Sequence, residues 1–379
     1  MTGNITIRRI RLADYLGMYD AFAELSRHAL EANPHMAPAA IEAATLLVHP
    51  DHIVVLGAWR NETLGQDRLA GIWALRRRRD LRTGFSAALC APLLPLYEVL
   101  STPVLDRDVA DEAMQALLRH CIASGDLPKT LILPLLPLEG LGFASLNEAC
   151  RVTLSRLAIV ERWPRPMMIP LAGDSAETYL RRALGSSYKK RMQQFRMFQR
   201  AGQAGLRRER GAAAAAALDG FLTLEAAGWK GQTGTAIAKL PRDSAYFRRL
   251  ADLFAARDGL LIDSLMLDGK PIAMGLLLES AGTRHFLKIA YDETQSRLSP
   301  GRALTIARIL SDCAGTPPRV FDSGAGDGVD AGTYVWGERR EMGHAVIALG
   351  EDRAGLPELA ADARAVLRRL RDNPAKRKG

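Results

Sequence analysis

Between Arg284 and Gly328 the chain reads RHFLKIAYDETQSRLSPGRALTIARIL and, nine residues on, VFDSGAGDG. This is a strand pattern, a tight loop, a helix that opens on Ser-Pro-Gly-Arg, and a second strand ending in acid and glycine. The start of a helix leaves N–H groups without intrahelical partners and carries a partial positive charge, so a phosphate placed there is bound by main chain alone. Ser299 followed by Pro300 is also an ordinary way to begin any helix, with Ser as N-cap and Pro in the first turn. Gly301, which lets a ligand approach the backbone, and Arg302, which neutralises phosphate, favour the anion site. The candidate cofactor-binding residues are Ser299, Pro300, Gly301, Arg302 and Ala303.

With 379 residues the chain exceeds one ordinary core, and two domains are expected. Cys90, Cys121, Cys150 and Cys313 lie far apart without a CxxC pair, which suggests neither a zinc site nor a disulfide framework and fits a reducing cytoplasm. The first residues, MTGNITIRRI, lack a positive segment followed by an apolar run, and no stretch of about 18 apolar residues occurs. The expectation is a cytoplasmic protein with no membrane span.

The net charge of +9 is concentrated. From Arg181 to Arg210 there are ten Lys or Arg and one acid, Glu209, so this window accounts for the whole excess. A solvated helix face is the plain explanation. A surface that meets an anion, such as cofactor phosphate, acidic substrate or RNA, is the sharper one.

The first half reads as a strand at 5–10, a helix over 14–31, strands at 53–60 and 69–78, a helix over 108–124 and strands at 129–133 and 154–160. The Pro-rich stretch RWPRPMMIP, 162–170, resists helix and marks a junction. Alternation then begins again, with Asp174 capping a helix through Leu184 and a basic helix after Ser186 and Ser187 whose Tyr188, Met192, Phe195 and Phe198 line a core face. Helices over 212–227 and 243–257 lead into strands at 260–267, 271–279 and 284–291, the first two joined by Asp268-Gly269, a strong hairpin signal. A helix over 301–313 and strands at 319–322 and 345–349 complete the unit, and 357–370 reads as a surface helix. The fold class is α+β, each half a mixed, mostly antiparallel sheet flanked by helices. The expected domains are 1–165, 166–350 and a C-terminal helix with a basic tail, 351–379.

The candidate catalytic residues sit around the anion loop. Asp322, at the end of the second strand, has the place of a general base, and Tyr291 that of an acid protonating a leaving thiolate. Alternation puts Lys288 and Ala290 on one strand face and Ile289 and Tyr291 on the other. Glu225, Trp229 and Lys230 stand in LEAAGWKG, where a helix stops. Trp229, Lys230 and Asp327 are the substrate-side candidates, a packed core ring being the default for Trp229. No GxSxG, HExxH or Walker loop occurs, and direct transfer needs none.

From Tyr179 to about Leu349 the succession YLRRALGSSYKKRMQQFRMFQRAG, FLTLEAAGWKGQTGTA, LDGKPIAMGLLL, KIAYDETQSRLSPGRAL and FDSGAGDG resembles GNAT-superfamily acetyltransferases of the FemAB-like type, and within it the CelD-like proteins associated with cellulose and polysaccharide biosynthesis. The resemblance implies tandem GNAT-like domains, the second one functional, with acetyl-CoA or another acyl-CoA held where two strands splay apart and the pyrophosphate turn on Ser299–Ala303. This chain has RLSPGRA in place of the usual Gln/Arg-x-x-Gly-x-Gly/Ala form, and it lacks the long helical hairpin of Fem enzymes that use aminoacyl-tRNA. The implied activity is acyl transfer to an amine or hydroxyl of a small molecule, glycan or peptide. A tRNA-dependent Fem-type transferase and a non-catalytic module using the basic helix are the alternatives.

Overall fold

The computed structural model describes residues 5–61, 67–78, 87–313, 320–326 and 335–351. The chain divides into two compact units, Met1–Trp163 with Arg340–Gly379, and Pro164–Arg339.

In the first unit, β1 (Ile5–Ile10) leads through α1 (Leu12–Tyr15), α2 (Tyr19–Arg27) and α3 (Pro38–Ala44) to β2 (Ile53–Arg60) and β3 (Arg68–Arg78). The single helix expected over 14–31 is two, parted at Leu16–Met18, where Gly17 weakens the helical run. Then come β4 (Ala88–Cys90), β5 (Val104–Leu105), α4 (Ala110–Ala123), β6 (Thr130–Pro137), α5 (Gly140–Val152) and β7 (Arg156–Met168). Strands β1 to β4 pair antiparallel in sequence order, and β4 pairs parallel with β6. The stretch 162–170, read as a junction that resists helix, is largely strand: β7 runs through it to Met168, and the chain changes units at Trp163–Pro164. The final strand, β13 (Glu338–Ala348), pairs with β6 from Met342 to Ala348, so the 345–349 strand expected to finish the second repeat is built into the first unit. Its buried run Ala345, Val346, Ile347 and Ala348 is the reason, since such a run needs cover on both faces.

The second unit contains α6 (Ala176–Leu184), α7 (Tyr188–Arg200), β8 (Ala204–Arg210), α8 (Ala212–Ala227), α9 (Trp229–Gln232), α10 (Pro241–Ala255), β9 (Leu260–Leu267), β10 (Lys270–Ser280), β11 (Thr283–Tyr291), α11 (Pro300–Asp312) and β12 (Val320–Asp322). Its strands lie in the order β7, β12, β11, β10, β9, β8, antiparallel except for β11 with β12. Asp268 and Gly269 both take positive φ, the geometry of a two-residue hairpin whose twist matches its strands. The α6 cap is Ser175, whose hydroxyl accepts from the Thr178 N–H at 3.0 Å, while Asp174, expected in that role, accepts from Leu171 N and pairs with Arg182. Strand β8 was hidden in the basic window because AGLRRER has no β-branched or aromatic residue.

Helix α11 is locked to the sheet by charges. The Arg308 Nε donates to Asp263 Oδ2 at 2.5 Å, Arg208 reaches both Asp263 (2.6 Å) and Asp312 (2.5 Å), and Arg284 joins Asp312 (2.5 Å) to Glu279 (2.7 Å). The Arg308 guanidinium also lies over the Phe286 and Phe321 rings. Burial pushes the Asp263 carboxyl up, but Arg308 and Arg208 outweigh it and hold it below the usual carboxylate range. Such a group stabilises the fold above its ordinary value near pH 4 and loses that contribution as the pH falls through its folded-state value. Asp263→Asn, which leaves Arg308 buried without its carboxylate, is therefore expected to cost about 3–5 kcal/mol in urea denaturation at pH 7. Its urea midpoint is also expected to fall less steeply than that of the parent between about pH 5 and pH 2.

Candidate functional site

The site grows from the way β11 leaves its neighbour. Strands β11 and β12 pair only from Thr283↔Val320 to His285↔Asp322. Beyond that point β12 has ended, while β11 continues to Tyr291 with no strand on that side among the described residues. Opposite β10, the register slips by one residue between Phe286 and Lys288, so Leu287 forms a bulge. The extra residue turns Lys288 away from α11: Phe286 and Ile289 pack with the α11 core, while Lys288 lies beside Phe247 of α10.

On one face of this open edge sits the start of α11. Ser299 precedes it in the left-handed region (φ 49°, ψ 57°), and its hydroxyl makes no capping bond, unlike the extended N-cap the sequence suggests. Pro300 is buried and supplies no N–H, and the N–H groups of Gly301 and Arg302 take no partner among the described residues. A Cβ on Gly301 would lie 3.4 Å from Ile289 Cδ1 and 3.7 Å from the Tyr291 ring, so the helix mouth stands directly over the end of β11. Arg302 is half-buried and its Nε lacks a hydrogen-bond partner. Burial, and after it the positive charge of Arg191, pulls its guanidinium below the usual arginine range. Uncapped amides and uncompensated guanidinium make this mouth electropositive.

On the other face, the buried Glu225 carboxylate accepts from Lys230 Nζ at 3.1 Å through one oxygen and from Ile237 N at 2.9 Å through the other. The same Lys230 Nζ donates to the Ile289 carbonyl at 3.2 Å. Lys288 is half-buried nearby; burial pulls its ammonium below the usual lysine range, Lys230 adds to the effect, and Glu225 and Asp243 oppose it. The Trp229 N–H donates to Glu293 Oε1 at 2.8 Å, while its ring is 50% exposed, against the packed ring expected.

The expected constellation is thus rearranged. Asp322 is 1% exposed and paired with the fully buried Arg165 at 3.3 Å, and its Oδ1 also accepts from Gly324 N at 2.8 Å. It anchors the turn after β12 and is not set as a general base. It is also six residues short of Tyr291 along the shared register, roughly 20 Å, so the two do not form an acid–base pair. Tyr291 is 37% exposed, under the α11 mouth. Lys230 is engaged by Glu225 and Ile289 and is not a free substrate ligand. Asp327 lies outside the described residues. Ser299–Ala303 and Tyr291 come together on one face, Lys288, Lys230 and Glu225 on the other. Glu293, Arg191 and Arg165 carry no sequence signal, because each acts on a residue far along the chain.

Half of the basic window is neutralised internally. Arg181, Arg182, Arg207, Arg208 and Arg210 all have acidic partners. Lys189, Lys190, Arg196 and Arg200, all exposed on α7, have none among the described residues. Among the described residues, no group of His, Cys, Asp and Glu suits a metal ion, and no helix is long and apolar enough to cross a membrane.

Residues 187–331 match the acetyltransferase (GNAT) domain, so the second unit carries an acyltransferase domain. No curated protein matches the sequence. Among solved structures the chain is similar to FemX, with a TM-score of 0.61 at 10% identity over 91% of this chain and 97% of that one. It is also similar to a conserved protein of unknown function from Bacteroides thetaiotaomicron VPI-5482, with a TM-score of 0.53 at 12% identity over 91% and 100% of the two chains. At these identities the likeness establishes the fold: mixed sheets flanked by helices.

Removing the Asp322 charge tests its structural role. Asp322→Asn leaves the buried Arg165 guanidinium without its carboxylate, though Arg165 Nε still donates to the Ala325 carbonyl at 2.9 Å, and is expected to lower stability by about 3 kcal/mol in urea denaturation.

Proposed function

We propose that the second unit is an acyl-CoA-dependent N- or O-acyltransferase that moves an acetyl or similar acyl group to an amine or hydroxyl by direct attack. The observation that carries this reading is the uncapped start of α11 standing over a strand edge that has lost its neighbour. The mouth suits the diphosphate of a CoA thioester, held by the Gly301 and Arg302 amides with Arg302 beside them. The open edge of β11 suits the extended pantetheine arm, which adds as a strand would.

In this reading the acceptor arrives from the α8 and α10 side, past the exposed Trp229 ring, and meets the thioester at the bulge. Lys288 takes the base role in place of Asp322, since burial beside Phe247 pulls its ammonium below the usual lysine range and so favours the neutral amine relative to an exposed lysine. Tyr291 remains the candidate acid. Much of the rate comes from alignment of two bound reactants. A small molecule, a glycan such as a polysaccharide precursor, or a peptide all meet these demands. The exposed cations of α7 support a second reading, in which the donor is an aminoacyl-tRNA; its binding would weaken steeply with salt.

Calorimetric titration with acetyl-CoA tests the reading. Wild type is expected to bind, and Gly301→Glu to fold normally yet bind at least about tenfold more weakly, because the new carboxylate favours the helix start but repels phosphate. No heat with wild type at millimolar acetyl-CoA, together with a salt-sensitive tRNA complex, would transfer support to the second reading. Once an acceptor is found, kcat/KM is expected to rise with pH through an apparent pKa below about 10.4, and this limb is expected to vanish in Lys288→Met.

A further inference from the structure

A strand edge without a neighbour exposes alternate carbonyl and N–H groups, and an unmet carbonyl beside a binding cleft attracts water or a wrong partner. Here the carbonyl of Ile289 is met by a side chain. Lys230 Nζ donates to it at 3.2 Å and is held there by Glu225 at 3.1 Å. The second Glu225 oxygen is fixed by Ile237 N at 2.9 Å, so the carboxylate cannot swing away without losing a buried bond. Thr235 N and Ala236 N both donate to the Lys230 carbonyl, at 2.8 and 3.0 Å, and the Trp229 N–H donates to Glu293 just past β11. The segment between α8 and α10 is thereby tied to β11 at the middle of its open edge and again beyond its end.

In a β-strand the N–H and C=O of one residue point to the same side. Since the Ile289 carbonyl faces Lys230, the Ile289 N–H faces the open edge too, and no described group accepts from it. The geometry points to Glu225 and Lys230 as positioning residues: Lys230 stands in for the missing strand at the Ile289 carbonyl and keeps the Ile289 N–H aimed outward for the carbonyl oxygen of the acyl donor. This rests on the acyl-CoA reading above. Lys230 itself touches no reacting atom. Its long stem and three donors let one ammonium satisfy a carboxylate and a carbonyl together.

The experiment compares wild type, Lys230→Met, Lys230→Arg and Glu225→Gln as full-length protein. Free CoA and acetyl-CoA are titrated by calorimetry, and amide hydrogen exchange of β11 is followed without ligand. Wild type is expected to prefer acetyl-CoA over CoA. Lys230→Met is expected to bind CoA within about twofold of wild type but to lose the acetyl preference, and Lys230→Arg to regain it. The Ala290 amide, in the same peptide unit as the Ile289 carbonyl, is expected to exchange about tenfold faster in Lys230→Met and Glu225→Gln. A preserved acetyl preference in Lys230→Met, or an unchanged Ala290 exchange rate, overturns the proposal. If wild type binds neither nucleotide, the donor reading fails by itself, and the ligand-free exchange still decides whether Lys230 holds the strand.

Discussion

The pair between Arg308 and Asp263 determines where α11 lies, and through it what the second unit can do. Asp263 sits mid-strand in β9 among buried apolar residues, an expensive place for a carboxylate, and Arg308 and Arg208 compensate it. Arg208, Asp312 and Arg284 carry the chain of charges on to the last turn of the helix, where the acid of Asp312 would otherwise oppose the helix dipole. A helix fastened at its C-terminal half by directional bonds has its first turn aimed with little freedom. That first turn is the anion mouth. Apolar packing of Leu304, Ile306 and Ile309 supplies adhesion, and the charges supply orientation.

The second constraint is a mismatch of strand lengths. β12 has three residues and β11 nine, so the parallel pair that α11 connects is complete at one end and open at the other. The bulge at Leu287 falls where the pairing fails, and it sorts the side chains. Ile289 and Tyr291 are sent to the donor mouth, Lys288 to the opposite face beside Glu225 and Asp243. Donor and acceptor thereby gain separate approaches to one stretch of backbone.

Much of this frame was legible from the residues. The Asp268-Gly269 turn and the three apolar runs around it place β9, β10 and β11, and Pro300-Gly301 marks the start of α11 within one residue. Strand alternation sorted Lys288 from Tyr291, although the bulge that sets the phase has no signature in RHFLKIAY. Other features depend on partners too remote to read. Asp322 looks like a free acid until Arg165, 157 residues earlier, fills the space beside it. Lys230 looks like a substrate ligand until the Glu225 carboxylate and, 59 residues on, the Ile289 carbonyl engage its ammonium. β8 was invisible because its arginines face charged partners, and a sequence pattern that counts apolar residues reads such a strand as solvated.

The central claim is that a CoA thioester lies with its diphosphate at the α11 mouth and its acyl carbonyl against β11. Backbone amide resonances recorded while acetyl-CoA is added to the isotope-labelled protein test it most directly. The largest shifts are expected at Gly301, Arg302 and Ile289, with Ile289 moving for acetyl-CoA and little for CoA. Shifts confined to the cationic face of α7, with Gly301 and Ile289 unmoved, would contradict it.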